Sequence, residues 1–151
     1  MIKKNFILLI IFIFFLNGCG YSPVFSKKTS FSIIELAVNG DKKINKIIIS
    51  RLDNYKESKG EKSFSVIINN NLDKQISSKD SKGNPKTFKI NVISKIKVKN
   101  SDGELYETMF SKSINYDNKS NKFDLKKYEA ETIKNFGNKI SEEIIIYLQS
   151  I

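Results

Sequence analysis

The side chains that carry most enzymatic chemistry are nearly missing from this chain, which has no His and a single Cys, Cys19. Catalysis by a His-paired thiol or a His-activated serine is thereby excluded, together with metal sites built from His and Cys. Carboxylates remain. Glu142 with Glu143, Glu129 with Glu131, and Asp102 with Glu104 lie close enough in sequence to be weighed as acid/base pairs. Each falls on a helix face or in a turn, where a solvated charge is the ordinary role. No Gly-rich loop precedes a helix in the arrangement that cradles phosphate. The inventory points to binding or assembly, with no cofactor and no metal.

Lysine supplies the other constellation. Lys89, Lys95, Lys97 and Lys99 alternate with Phe88, Ile90, Val92, Ser94, Ile96 and Val98, so a strand here would set all four on one wet face. Such a row suits the phosphates of an anionic glycolipid. It equally suits protection of a sheet against edge-to-edge association. The chain as a whole carries 26 basic and 16 acidic side chains, a balance that favours anionic partners: nucleic acid, phosphorylated glycolipid or a membrane surface. Arg51 is its one Arg, and this weighting toward Lys also fits a compositional bias that needs no ligand.

The lone Cys has a particular setting. Lys3 and Lys4 precede an apolar run from Phe6 to Leu16, and Asn17 and Gly18 then lead to Cys19. A run of that length makes about 16 Å of helix against a hydrocarbon core about 30 Å thick, so it reads as a secretory signal peptide and not as a membrane span. Leu16-Asn17-Gly18-Cys19 resembles the bacterial lipoprotein box, although Asn17 stands where a smaller residue is usual. That resemblance implies a Cys19 that is diacylated, exposed by cleavage and then N-acylated. Lipidation also accounts for a Cys without an intrachain disulfide partner in an oxidising compartment. Removing residues 1–18 takes away two basic residues and leaves 24 against 16, a mature charge of +8. Residues 19–30 then form a lipidated tether and 31–151 a single domain. Export makes nucleic acid the least expected partner.

The elements needed to present these residues follow from hydrophobic spacing. Phe31 to Val38 reads as a strand with Ile34, Leu36 and Val38 on one face. Ile44, Ile47, Ile48, Leu52 and Tyr55 recur at helical spacing. Phe64, Val66 and Ile68 alternate in a second strand that weakens toward Ile76, with Asn69-Asn70-Asn71 as a candidate bulge. Ser77 to Pro85 reads as a mobile connection. Phe88 to Val98 is the third strand, and the Asp102-Gly103 turn joins it to a fourth. There Tyr106, Thr108, Phe110, Ile114 and Tyr116 share a face that Lys112 interrupts. Asp124 is placed as N-cap of a final helix from about Leu125 to Ser150, and Gly137 as the site of a bend or a close crossing. The expected fold is therefore α+β, a two-layer sandwich. Its four-stranded, mostly antiparallel sheet carries both helices on one face, in the order β-α-β-β-β-α.

Cys19-Gly20-Tyr21-Ser22-Pro23-Val24-Phe25 resembles the start of the LPS-assembly lipoproteins, the LptE family. The helix ending Arg51-Leu52, the alternating strand Phe88 to Val98, the Asp-Gly turn, Ser113-Ile114-Asn115-Tyr116 and the acidic start of the long last helix extend the likeness along the mature chain. Tyr21 and Val24 stand where relatives often have Phe and Leu. The resemblance implies a lipoprotein on the periplasmic face of the outer membrane that sits inside a large β-barrel partner, LptD, and helps insert lipopolysaccharide. Gly20 after the Cys fits outer-membrane sorting. Two alternatives are an accessory lipoprotein of another lipid transporter and an envelope enzyme using carboxylates alone.

Overall fold

The computed structural model describes residues 31–56, 58 and 60–151. The leader, Cys19 and the tether of the sequence analysis lie outside them. Six main elements follow one another: β1 (Phe31–Gly40), α1 (Lys42–Leu52), β2 (Lys62–Lys79), β3 (Pro85–Asn100), β4 (Leu105–Asp117) and α2 (Lys122–Ser150). The strands form one sheet in the order β1-β2-β3-β4. β1 runs parallel to β2, and the other neighbours are antiparallel. Both helices lie on one face, and the expected α+β sandwich is the observed one.

The core lies between these layers. Phe64, Val66 and Ile68 of β2 and Ile90, Val92, Ile96 and Val98 of β3 are buried beneath Ile44, Ile48 and Leu52 of α1 and Ile140, Ile144 and Leu148 of α2. Burying a side chain of this size contributes about 1.5–3 kcal/mol, which is why the period-2 strands and the 3.6-period helices find each other. Asp41 starts α1 by accepting from the Lys43 and Ile44 amides at 2.9 and 3.1 Å.

Four expectations are corrected. Ile34 does not share a face with Leu36 and Val38, because the β1–β2 register slips between Ile33 and Glu35. The bulge turns Phe31 and Ile33 into the core and leaves Ile34 70% exposed. The asparagine run is not bulged: Asn69, Asn70 and Asn71 pair in register with Lys95, Ser94 and Ile93. The connection expected over Ser77–Pro85 shrinks to Asp80–Asn84, where the Asp80 carboxylate accepts from the Lys82 and Asn84 amides at 2.9 and 2.8 Å. The N-cap of α2 is Asn121 in place of Asp124, its side chain accepting from the Phe123 amide at 2.9 Å. Asp124 sits in the first turn, where the helix dipole favours an acid.

Substitutions in and around α2 test the packing. Gly137 is where α2 crosses α1, and a Cβ there would lie 3.0–3.1 Å from three side-chain atoms of Ile47. Ile47 is β-branched and held near one χ1 in a helix, so it cannot swing aside. Gly137→Ala should gain about 1 kcal/mol of helix propensity yet lose more, about 1–3 kcal/mol, to overpacking, and so lower the melting temperature. In an Ile47→Ala background the same change should become neutral or stabilising, which a double-mutant cycle measures. Ile140 is fully buried whereas Phe136, one turn earlier on α2, is half-buried at the edge of the core. Ile140→Ala should cost about 2–5 kcal/mol in chemical denaturation, Phe136→Ala less, and exposed Lys97→Ala under about 0.5 kcal/mol.

Candidate functional site

Three of the six carboxylates weighed for chemistry, Glu129, Glu143 and Glu104, are engaged by separate partners. Glu129 accepts from the Tyr116 hydroxyl at 2.8 Å and from Lys74 at 2.6 Å. Burial and that carboxylate together hold the Tyr116 phenol well above its usual range. Glu143 pairs with Lys112, which explains the charge that interrupts the apolar face of β4: it reaches across to α2. Glu131 and Glu142 are exposed on α2. In the β3–β4 turn, hydrogen bonds from Tyr106 and Asn100 keep the Glu104 carboxyl below the ordinary carboxylate range. Asp102 is exposed in the same turn. Among the described residues no three such groups gather where a metal ion would fit.

The four lysines stand on the face of the sheet away from the helices, as alternation required. The structure does not bring them all together. Lys95, Lys97 and Lys99 follow one another at about 6.7 Å intervals, whereas Lys89 is six residues from Lys95, about 20 Å along β3. Cross-strand neighbours alter their charge as well. Lys97 lies opposite Glu107 and pairs with it at 2.7 Å. Glu35 and Asp73 also lie on this face, opposite Ser65 and Asn91. The open face is therefore close to balanced in charge. Ile67 and Ile93 stand at its centre, Ile67 opposite Lys97 and Ile93 opposite Ser111, and Met109 and Leu105 lie toward the β4 edge. Ile67 is 44% and Met109 58% exposed. No element of the described chain covers these side chains.

Two further surface features were not anticipated from sequence. A groove of about 460 Å³ between β4 and α2 is lined by Ile114, Tyr128, Thr132 and Phe136, with Lys139 and Glu142 among its polar side chains. On the solvent side of the helical layer, Lys46, Ser50 and Arg51 of α1 face Lys134 and Asn138 of α2 across a second groove. Arg51 Nε donates to Asn138 Oδ1 at 3.2 Å. The available signal was local: α1 carries four cations and no acid in eleven residues.

No family profile matches this sequence, and no curated protein does. Solved structures are similar in fold. A rare lipoprotein B from Shewanella oneidensis superposes with a TM-score of 0.57 at 15% identity, covering 77% of this chain and 94% of that one. A minor lipoprotein from Acinetobacter baumannii gives 0.55 at 6% identity over 81% and 92%. An uncharacterized lipoprotein B from Nitrosomonas europaea gives 0.54 at 12% over 79% and 84%. At these identities the likeness is one of fold: this α+β sandwich is shared, nearly end to end, with solved bacterial lipoproteins.

Proposed function

We propose that this chain is a lipid-anchored protein of the outer membrane that docks into a β-barrel and assists the insertion of lipopolysaccharide, without catalysing a reaction itself. The reading is carried by one coincidence: a lipoprotein-box tetrapeptide ending at Cys19 precedes a domain whose fold recurs in solved lipoproteins. The open sheet face supports it. A barrel partner needs a broad surface with a few apolar anchors set among polar residues, and Ile67, Ile93, Leu105 and Met109 supply such anchors. Lys95 and Lys99, opposite Met109 and Leu105, stand beside them and suit the phosphate-bearing glycolipid that the barrel handles, whereas Lys97 is paired with Glu107.

Radiolabelled palmitate should enter the wild-type protein and be absent from Cys19→Ala; label retained in that variant would sink the lipoprotein reading. Affinity purification from detergent-extracted membranes should recover a β-barrel protein, and depletion should leave that barrel misassembled and surface lipopolysaccharide reduced. Ile67→Asp with Met109→Asp should weaken the association about 30-fold, the equivalent of about 2 kcal/mol for losing an anchor, in a domain that circular dichroism shows still folded. A normal barrel and a normal cell surface after depletion would transfer the assignment to another lipid transporter.

A further inference from the structure

We infer that, before it engages its partner, the domain rests on the bilayer with the solvent side of its helical layer against anionic phospholipid headgroups, α1 being the main contact. This rests on the proposed lipidation of Cys19 and goes beyond it by fixing an orientation. The charge of α1 is one-sided: Lys42, Lys43, Lys46 and Arg51 are all exposed, and the helix itself holds no acid. Flanking acids are already engaged. Asp41 caps the helix through its carboxylate, and Asp53 pairs with Lys56 at 2.8 Å. Lys42 and Lys43 occupy the first turn, where the helix dipole disfavours cations, so their placement works against local stability. A rule broken locally without a packing gain points to function.

Lys134 extends the patch onto α2, across the groove it shares with Lys46 and Arg51. Glu131, one turn earlier, is the acid of α2 nearest to it in sequence. Five basic groups match the clusters of 4–8 that hold proteins to anionic membrane surfaces. Ile49, 36% exposed, lies beside Lys42 and Lys46, with Asn45, Ser50 and Asp53 completing its surroundings, and offers the bilayer one aliphatic contact. The tether permits this face. Phe31 stacks on Tyr55, just past the end of α1, at 4.8 Å between ring centroids, so the chain leading to Cys19 enters the domain beside the C-terminal end of α1. The twelve residues 19–30 span at most about 43 Å, so α1 can reach the headgroups. The opposite, open face of the sheet then points away from the bilayer.

Full-length lipidated protein is reconstituted into phosphatidylcholine vesicles with and without phosphatidylglycerol, carrying a fluorophore at Ser50→Cys on α1 or at Ser111→Cys on the open sheet face. Acylation of Cys19 leaves the introduced thiol as the one available for labelling. Quenching by headgroup-labelled lipid should be several-fold stronger at Ser50 than at Ser111 when phosphatidylglycerol is present. The difference should vanish in about 1 M salt, where the Debye length is about 3 Å. It should also vanish in a combined Lys42, Lys43, Lys46 and Lys134→Gln variant whose circular dichroism is unchanged, and persist when Lys95, Lys97 and Lys99 become Gln. Equal quenching at the two positions, or quenching indifferent to phosphatidylglycerol, in protein that floats with the vesicles would overturn the orientation alone. Failure to float with either kind of vesicle would overturn the lipid tether and the orientation with it.

Discussion

A buried amide in β2 determines where the sheet ends on one side and where the helical layer begins. Asn70 occupies a core-facing position between Ile68 and Leu72 and is 5% exposed. An amide there without partners costs about 2–7 kcal/mol, so its neighbours are fixed by need. Its side-chain amide meets Ser94 Oγ of β3 at 2.5 Å and the Asn45 amide of α1 at 2.8 Å, tying three elements at one point. Its backbone carbonyl accepts from the Asp41 amide at 3.2 Å. Gly40 bridges this closure with φ at +100°, and a Cβ there would sit 1.8 Å from the Asn70 oxygen. β1 must leave the sheet at Gly40, Asp41 must cap α1, and β2 and β3 continue without it toward the Asp80–Asn84 turn.

That closure also marks the boundary of what the sequence could reveal. Alternation along Phe88–Val98 and spacing along α2 are properties of one segment, so those elements and their buried faces were readable. The bulge at Ile34 was not, because it arises from the register of β1 against β2 and leaves no local trace. The asparagine run misled for the opposite reason. Three consecutive Asn look like a break in a strand, but the middle one is a core residue whose polar group is satisfied by Asn45 and Ser94, 25 positions before it and 24 after. Lys112 is similar. It looked like an interruption of β4 until Glu143, 31 positions on, supplied its partner.

The candidate site divides along the same line. Cys19 belongs to a local tetrapeptide, and a local signal is legible from residues alone. Placing the four lysines on one face needed only the period of a strand, and the structure keeps them there. Their electrostatic character depended on cross-strand neighbours that no single segment discloses. Glu107 opposite Lys97, with Glu35 and Asp73 on the same face, turns an apparent cationic row into a mixed surface. The basic groove was legible only in half: the four cations of α1 are a local signal, but Arg51 and Asn138 meet across 87 positions of sequence.

The two faces of the sandwich therefore differ in the kind of contact they can make, and the magnitudes order those contacts. Basic residues at an anionic surface contribute about 1 kcal/mol each, so the five on the helical side give about 5 kcal/mol, screened by salt and released without unpacking anything. A lipid tether makes even this sufficient, because binding of a tethered domain is intramolecular and its effective concentration is high. The open sheet face has little net charge to exploit and must rely on apolar anchors. A standard interface of about 1,600 Å² can reach roughly −8 to −12 kcal/mol, corresponding to micromolar to nanomolar affinity. A protein partner on the sheet face would compete with the bilayer only where its docking requires the domain to lift away. In the proposed orientation the weaker contact would hold the domain with the open face of its sheet turned from the bilayer.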